Sequence, residues 1–305
     1  MAAPAISSPT SIGAKLATTV GAYVALTKPR IIELLLVTTV PTMVVAAQGV
    51  PSLWLMAATV IGGTLAAGGA NAINMYVDRD IDAVMERTQG RPLVTGVITP
   101  RSALVFAVGI EVLAFVFLWQ VVNLLSAVLA VSACLFYVFV YTLWLKRSSS
   151  QNIVIGGAAG AVPVLVGWSA VQGNVSWSAV VLFVLMFLWT PPHFWALAIR
   201  HADEYRAAGV PMLPSVVPLP QAIRQMVVYT ALLVVSSLVL VPVAHLGWIY
   251  GVVAVVAGGA FLADTLGLAR TPTASRAMRV FAFSISYVTL LFGAMAVDVL
   301  VRHGV

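Results

Sequence analysis

Apolar runs long enough to cross a bilayer as helices dominate this sequence. Hydrophobic residues make up 61% of its 305 positions and charged residues only 9%, a composition far from that of soluble globular domains. A helix needs about 20 apolar residues to cross about 30 Å of hydrocarbon. Such runs lie at roughly 31–50, 52–76, 102–121, 124–145, 152–172, 177–199, 222–245, 247–267 and 278–301. The sequence therefore predicts an all-α integral membrane protein with nine transmembrane helices.

The basic residues predict which loops face the cytoplasm, since short cytoplasmic loops carry the excess of Lys and Arg. Of the 16 Lys and Arg residues, all except Arg302 precede span 1 or flank the 2–3, 4–5, 6–7 and 8–9 loops. We expect a multi-pass protein of the cell membrane with these loops and the N-terminus cytoplasmic and the C-terminus outside. The net charge of +6 then reports topology, and we expect no nucleic-acid partner because there is no basic soluble domain.

The chain divides into a short tail and one membrane domain. Residues 1–22 are rich in Ala, Ser and Thr and lack the basic start and apolar run of a signal peptide. We expect a disordered cytoplasmic tail over 1–22 and a transmembrane domain over 23–305.

Charge is concentrated just after span 2, between Asp78 and Arg91. Asn74, Asp78 and Asp82 are spaced i, i+4, i+8, so their oxygens line one stripe if the helix continues through them, whereas Asp80 points elsewhere. Like charges at this spacing repel each other, and a cation between them would remove the conflict. Carboxylate and amide oxygens are the ligands that Mg²⁺ prefers, together with substrate phosphate oxygens. The stripe predicts a magnesium site, and a solvated loop is the alternative.

Basic side chains from other segments approach the same face. Arg87 and Arg91 follow the stripe, and Lys146-Arg147 and Lys28-Pro29-Arg30 come from other spans. Carboxylates with a metal, ringed by Arg and Lys at a membrane surface, suit a diphosphate whose apolar tail stays in the lipid bilayer. For each basic pair taken alone, a positive-inside anchor is the alternative.

Several motifs carry a resemblance to a known family. The Asn74-x-x-x-Asp78-x-x-x-Asp82 pattern resembles the first aspartate-rich motif of the UbiA superfamily of intramembrane prenyltransferases. Further segments resemble the heme O synthase branch of that superfamily and follow in order along nearly the whole chain. They are LTKPRIIELLLVTT (26–39), DRDIDAVMERTQGRPL (78–93), YTLWLKR (141–147), WTPPHFWALAIR (189–200), YRAAGVPMLP (205–214) and FSISYVTLLFGAMAVD (283–298).

The resemblance implies a fold and an activity. The fold is a UbiA-type bundle around a central cavity. The activity is transfer of a farnesyl group from farnesyl diphosphate to a vinyl carbon of heme b, which yields heme O for a downstream heme A synthase. A sister enzyme that prenylates a quinone precursor or a chlorin competes with this hypothesis, but the WTPPHFW segment argues against it. A transporter is the other alternative, yet transporters place their sites near the membrane midplane, whereas these acids cluster at one face.

The resemblance also implies residue roles. Mg²⁺ is held by Asn74, Asp78 and Asp82, with Asp203 and Glu204 as a second motif. The diphosphate-binding candidates are Arg30, Arg87, Arg91, Tyr141, Lys146 and Arg147. Asp78, Asp82 and Lys146 are the predicted catalytic residues, because metal and lysine neutralise charge on the leaving group. Tyr76, Tyr141, Trp189 and Trp195 are candidates for lining the allylic cation by cation–π contact, with packing or interface roles as the alternative.

Two motifs depart from the superfamily pattern. The second motif is usually Asp-x-x-x-Asp, whereas Asp203-Glu204-Tyr205 is followed by no acid at that spacing. The usual Tyr-x-x-x-Lys is stretched to Tyr141-x-x-x-x-Lys146. The sequence therefore leaves open whether a second metal binds, and whether Tyr141 or Thr142 faces the diphosphate.

Three polar side chains inside the spans have open roles. His193 follows Pro191-Pro192, where missing backbone donors favour a bend or opening of the helix. Its imidazole suits a porphyrin iron, so one hypothesis is heme binding at His193, and the other is a histidine that bonds a carbonyl freed by the prolines. Glu111 and Asp298 are isolated acids that either bond a neighbouring helix or touch heme.

Overall fold

The computed structural model describes the backbone over residues 12–304 and the side chains outside 12–18, 30–32 and 34–36. The described residues are helical apart from short links, which confirms the all-α prediction. The long helices are α3 Leu53–Val77, α5 Pro100–Val121, α6 Leu124–Leu135 with its continuation to Ser148, α8 Asn152–Gln172, α9 Trp177–Arg200, α12 Leu219–Val243, α13 Trp248–Arg270 and α14 Ala274–His303. The shorter ones are α1 Ile12–Leu26, α2 Pro29–Ala47, α4 Arg79–Val84, α7 Lys146–Ser148, α10 Ala202–Ala207 and α11 Leu213–Val216.

In the described part of the chain, 8 helices are long and apolar enough to cross a membrane, against the nine predicted. They correspond to spans 2 to 9. The first predicted span, 31–50, is α2, a helix of 19 residues with Arg30 and Glu33 near its start. Its described apolar part is only Val37–Ala47, about 16 Å long at 1.5 Å per residue. The difference between the nine predicted spans and the 8 observed ones therefore concerns α2 alone among the described helices.

The segment 1–22, expected as a tail, is described only from Ile12 onward. Residues 1–11 lie outside the described residues, and α1 begins at Ile12, so residues 12–22 of the expected tail are helical. Apolar residues recur here at helical spacing, at Ile12, Leu16 and Val20. The composition of the segment masked this periodicity.

Close helix packing joins the bundle. α2 contacts α3, α8 and α14, and α8 contacts α6 and α9, so α2 and α8 connect the group α3, α5, α6 to the group α9, α12, α13, α14. Small residues allow close approach of membrane helices. At Gly69 of α3, an added Cβ would lie 2.6 Å from Glu111 Cγ of α5, so the buried Glu111 packs into this contact.

Asp298 stabilises the start of α13 from the neighbouring helix α14. It is fully buried and accepts hydrogen bonds from the backbone N–H of Gly247 at 2.5 Å and of Tyr250 at 3.3 Å. A carboxylate at a helix N-terminus satisfies unpaired N–H groups and the helix dipole. Of the two open roles for this acid, the structure therefore shows a bond to a neighbouring helix.

The segments that follow α3 and α9 pack against each other at the end of the bundle that carries the basic loops. Their shared apolar cluster contains Ile81, Met85, Ile153, Ala198, Tyr205, Val210 and Met212. Arg87 also donates to the Tyr205 hydroxyl at 3.2 Å, and its guanidinium lies 5.6 Å from the ring centroid. These contacts place both acidic segments over the same end of α3 and α9.

Candidate active site

The predicted stripe of Asn74, Asp78 and Asp82 forms as a continuous helical face. α3 ends at Val77 and α4 begins at Arg79, yet the i to i−4 bonding persists, with Asp78 N to Asn74 O at 2.9 Å and Asp82 N to Asp78 O at 2.8 Å. All three side chains are buried. In contrast, the side chain of Asp80 is 62% exposed. The structure therefore brings together the three predicted metal ligands and turns Asp80 away from them.

Each residue of the stripe contacts a different cation. Lys28 Nζ lies 2.8 Å from Asn74 Oδ1, Lys146 pairs with Asp78 Oδ2, and Arg91 Nη1 lies 2.5 Å from Asp82 Oδ2. Buried charges are tolerated only with such partners. The cations come from the start of α2, the end of the fourth span and the loop after α4, so three separate segments converge on the stripe.

Arg147 lies at the edge of this cluster. It donates to both carboxylate oxygens of Asp80, at 2.8 and 2.7 Å, and its Nη2 is 3.8 Å from Asp78 Oδ1. The hydrogen bond from Arg147 lowers the pKa of Asp80 to about 2. Arg147 is therefore engaged mainly by the residue that points off the stripe.

The sequence predicts Arg30 as the diphosphate-binding residue of the basic segment Lys28-Pro29-Arg30, whereas the structure shows Lys28 in contact with the stripe. The side chain of Arg30 lies outside the described residues. Lys28 has a left-handed backbone, with φ of 51°, a conformation that L-residues rarely adopt and that clusters at functional sites. Burial lowers the pKa of Lys28 to about 7, and the nearby charges of Arg91 and Lys146 act in the same direction. In the sequence, the only indication of a role for Lys28 is its place in the basic segment TKPR (27–30).

The donor set of the stripe fits Mg²⁺. Asp78 Oδ1 is buried without a hydrogen-bond partner, and all the ligand atoms are hard oxygens. Among the described residues, no group of three or more His, Cys, Asp and Glu side chains could hold a metal ion. Two carboxylates and one amide are nevertheless enough, since Mg²⁺ commonly uses one or two carboxylates and completes its coordination with substrate phosphates and water.

A π-helix explains the stretched Tyr-to-Lys motif. The fourth span changes from α-helix to π-helix over Phe136–Leu145, and π-helices, which bond i to i+5, are frequent at functional sites. Thr142 contacts the stripe, because its Oγ1 accepts from Asn74 Nδ2 at 3.1 Å. Tyr141 instead stacks on Tyr137, with ring centroids 5.3 Å apart. Of the two open candidates, Thr142 is therefore the one that touches the Asn74–Asp78–Asp82 stripe.

The second acidic motif does not join the stripe. The side chain of Asp203 is 96% exposed and pairs with Arg206 at 2.5 Å. Glu204 bonds to His201 at 2.6 Å, and this hydrogen bond lowers the pKa of the Glu204 carboxyl. Asp203 lies in the first turn of α10, which projects it into solvent rather than toward the bundle. The structure thus gives neither acid a contact with the first motif.

Three of the aromatic side chains predicted to line a cation pocket, Tyr76, Trp189 and Trp195, have different packing partners. Tyr76 packs with α1 and α5 residues, under the guanidinium of Arg79. Trp195 is fully buried and meets Tyr229 of α12 edge to face, at 5.6 Å. Trp189 faces α14, where its Nε1 donates to Ser284 O at 2.8 Å. Each of these three rings therefore packs against a different part of the bundle: Tyr76 against α1 and α5, Trp195 against α12, and Trp189 against α14.

His193 is held between two rings and a serine. Its imidazole stacks on Trp189 at 4.2 Å and on Phe281 at 4.6 Å, and its Nδ1 lies 2.7 Å from Ser284 Oγ. α9 runs through Pro191-Pro192 as one helix. The partner of Nδ1 is therefore on α14 and is not a carbonyl freed by the prolines, which leaves Nε2 as the nitrogen for any further ligand.

Comparison with known proteins decides the family. The model of the UbiA prenyltransferase family matches residues 35–288. The chain belongs to the UbiA prenyltransferase family. A protoheme IX farnesyltransferase of Frankia alni is 56% identical over 283 residues, which cover 92% of this chain and 98% of that protein.

Solved structures share the UbiA fold. One described as digeranylgeranylglyceryl phosphate synthase has a TM-score of 0.76 at 18% identity and covers 92% of this chain and 99% of its own. A UbiA homolog from Archaeoglobus fulgidus bound to DMAPP and Mg²⁺ has a TM-score of 0.63 at 18% identity, covering 90% and 99%. At this identity the likeness establishes the UbiA fold of the whole membrane domain.

Proposed function

We propose that this UbiA family member transfers the farnesyl group of farnesyl diphosphate to a vinyl group of heme b and so makes heme O. The observation that carries the proposal is the buried Asn74–Asp78–Asp82 stripe, ringed by Lys28, Arg91 and Lys146 at one end of a membrane bundle. The relative in Frankia alni, which aligns over nearly its whole length, is named protoheme IX farnesyltransferase. Both support a diphosphate leaving group and a lipid-borne prenyl chain.

The residues of the site have two roles, which are to bind the metal and to hold the diphosphate. Mg²⁺, when bound by the stripe, neutralises negative charge that builds on the diphosphate as its bond to the farnesyl carbon breaks. Lys146 and Arg91 are placed to hold the diphosphate oxygens and stabilise the same charge by preorganised donors. Lys28 completes this cluster on the Asn74 side. The vinyl group of the acceptor then supplies the electron pair for the new carbon–carbon bond, and water adds to the cation left on the carbon beside the porphyrin ring and loses a proton, which leaves a hydroxyl group there.

Magnesium dependence is part of the proposal. Its support is the oxygen donor set described above and the presence of Mg²⁺ with DMAPP in the structure of the UbiA homolog from Archaeoglobus fulgidus. Asp78 and Asp82 are the charged ligands and Asn74 is the neutral one. Asp203 and Glu204, which bond to Arg206 and His201, are kept as candidates for a second metal only if substrate binding reorganises α10.

We also infer the cellular setting. The basic loops indicate a cell-membrane protein whose diphosphate site opens to the cytoplasm, where Lys and Arg accumulate. The product would pass to a downstream heme A synthase, which is the proposed partner. His193, whose Nε2 is not used by Ser284, is the proposed iron ligand of the heme substrate.

The function can be tested with purified protein in lipid nanodiscs. Farnesyl diphosphate, heme b and Mg²⁺ should yield heme O, detected by chromatography with mass spectrometry, and EDTA should stop its formation. Geranyl and geranylgeranyl diphosphate report the chain-length preference, and 4-hydroxybenzoate and a chlorin test the rival acceptors. Prenylation of one of these rivals without any heme product would replace the heme assignment with that of a sister enzyme.

A further inference from the structure

The hydroxyl of Thr142 occupies an unusual position between the π-helix and the metal-ligand stripe. Thr142 is fully buried, and its Oγ1 donates to Tyr137 O, five residues back, at 2.8 Å. In an α-helix a threonine hydroxyl bonds the carbonyl three or four residues back. The π-helical segment Phe136–Leu145 therefore supplies the carbonyl that takes this hydrogen. A hydroxyl has a single hydrogen, so toward any other neighbour Thr142 can only accept.

That neighbour is the side-chain amide of Asn74. Nδ2 of Asn74 donates to Thr142 Oγ1 at 3.1 Å and to Asp78 Oδ2 at 2.7 Å, so both amide hydrogens are used. Oδ1 faces the other way, where it accepts from Lys28 Nζ at 2.8 Å. An asparagine amide has two orientations that differ only in hydrogen bonding. Here the acceptors Thr142 Oγ1 and Asp78 Oδ2 on one side and the donor Lys28 Nζ on the other favour the same orientation of the Asn74 amide.

We infer that Thr142 is a positioning residue that keeps Oδ1 of the Asn74 amide on the side where it meets Lys28 Nζ, so that a divalent cation bound on that side would meet an oxygen. If the amide flipped, its NH₂ group would face that side and Asn74 could not be a ligand there. Groups behind a metal ligand fix its orientation in this way, and their loss typically lowers metal affinity or activity about 10–100-fold. The inference rests on the proposed metal role of the stripe, and it assigns the π-helix a function, which is to make Thr142 an obligate acceptor.

Two substitutions and a control test the inference. Thr142→Val keeps the shape but removes the acceptor, whereas Thr142→Ser retains it. Thr59→Val is the matched control, because Thr59 is also fully buried and donates only to Leu55 O in its own helix, at 2.8 Å. The probe is Mn²⁺, whose free concentration is followed by electron paramagnetic resonance during titration of each purified protein. The Mg²⁺ dependence of heme O formation gives KM for the metal separately from kcat.

Thr142→Val should weaken Mn²⁺ binding at least about tenfold and raise KM for Mg²⁺, while Thr142→Ser and Thr59→Val bind as the wild type does. A general packing defect would instead lower the melting temperature of both valine variants and leave metal affinity unchanged. Wild-type affinity in Thr142→Val overturns the inference but leaves the metal site intact, provided that Asp78→Asn abolishes Mn²⁺ binding. If Asp78→Asn binds Mn²⁺ as well as the wild type, the metal role of the stripe fails, and the inference fails with it.

A double-mutant cycle separates orientation from every other effect of the hydroxyl. Asn74→Asp replaces the amide with a carboxylate, whose two oxygens are equivalent and need no orientation. In that background Thr142→Val should cost little additional Mn²⁺ affinity, although it costs at least about tenfold in the parent. Equal losses in both backgrounds would show that Thr142 does not act through the Asn74 amide.

Discussion

Lys28 Nζ donates to Asn74 Oδ1 at 2.8 Å, across 46 residues of sequence. The contact depends on the left-handed backbone of Lys28 ahead of Pro29, which sends the side chain from the start of α2 into the stripe. Together with Lys146 and Arg91, Lys28 gives every residue of the stripe its own cation. A diphosphate entering this cluster would meet three positive charges from three segments.

Lys28→Met is the first test of that cluster. A hydrogen bond to a charged group contributes about 1.5–3 kcal/mol, so KM for farnesyl diphosphate should rise by at least about tenfold. Arg206→Gln is the control, since Arg206 is exposed and pairs with the exposed Asp203. Steady-state heme O formation at varied farnesyl diphosphate measures both variants. Equal KM values for Lys28→Met and the wild type would remove Lys28 from the site.

The proposed metal ligands Asp78 and Asp82 point to a different side of the helix from Asp80. Asp78→Asn and Asp82→Asn should each lower kcat by about a hundredfold or more, because each removes a charged group that stabilises the leaving group. Asp80→Asn should retain most activity, since Asp80 is exposed and bonds Arg147. Size-exclusion chromatography shows whether the variants fold, and heme O formation at varied Mg²⁺ gives the rates. A loss for Asp80→Asn as deep as that for Asp78→Asn would contradict the stripe.

The heme hypothesis makes a spectroscopic prediction at His193. His193→Ala should lose the absorbance signature of imidazole-bound iron in a heme titration, yet bind farnesyl diphosphate as before. Ser284→Ala should keep the signature but weaken heme binding, because Ser284 holds Nδ1 and so orients the ring. An unaltered Soret band in His193→Ala at full heme occupancy would end the ligand hypothesis.

Membrane orientation follows from where single cysteines react. In a Cys134→Ala background, Gly90→Cys and Ala207→Cys should react only with a reagent that reaches the cytoplasm. Gly90 has open space around an added Cβ, and Ala207 is exposed, so neither change disturbs packing. Asn174→Cys, at an exposed position between α8 and α9, is the opposite-face control. Labelling of Gly90→Cys from outside would invert the orientation.

Spans 2 to 9 could be predicted to within a few residues because lipid requires long, internally bonded apolar helices. The Asn74–Asp78–Asp82 stripe could also be predicted, since residues four apart in sequence lie on the same face of a helix. The contact of Lys28 with Asn74 could not be predicted, because it arises from a left-handed residue and from the packing of α2 against α3. Trp195 and Tyr76 show the same limit, since the neighbouring helix decides which way an aromatic ring faces.

In the fourth span, the spacing of Tyr141 and Lys146 predicts an irregular helix but not which side chain faces the stripe. The five-residue interval from Tyr141 to Lys146 signalled an irregularity, but the sequence offers nothing to choose between Tyr141 and Thr142. In the structure this interval falls in a π-helix, in which Thr142 reaches Asn74 while Lys146 reaches Asp78. For Asp203, the sequence predicts more than the structure shows. Its place beside Glu204 predicts a second metal motif, but it lies in the first turn of α10 with its side chain exposed to solvent.

Asp298 allows a last prediction that separates structure from catalysis. Its carboxylate satisfies backbone N–H groups at the start of α13, and loss of such a cap costs about 0.5–2 kcal/mol. Asp298→Ala should therefore lower the melting temperature by several degrees while heme affinity and KM for farnesyl diphosphate stay unchanged in the folded protein. Arg206→Gln is the comparison, since Arg206 and its partner Asp203 are both exposed and a surface ion pair contributes at most about 1 kcal/mol. A fall in heme affinity in Asp298→Ala without a fall in melting temperature would mean instead that this acid touches the heme.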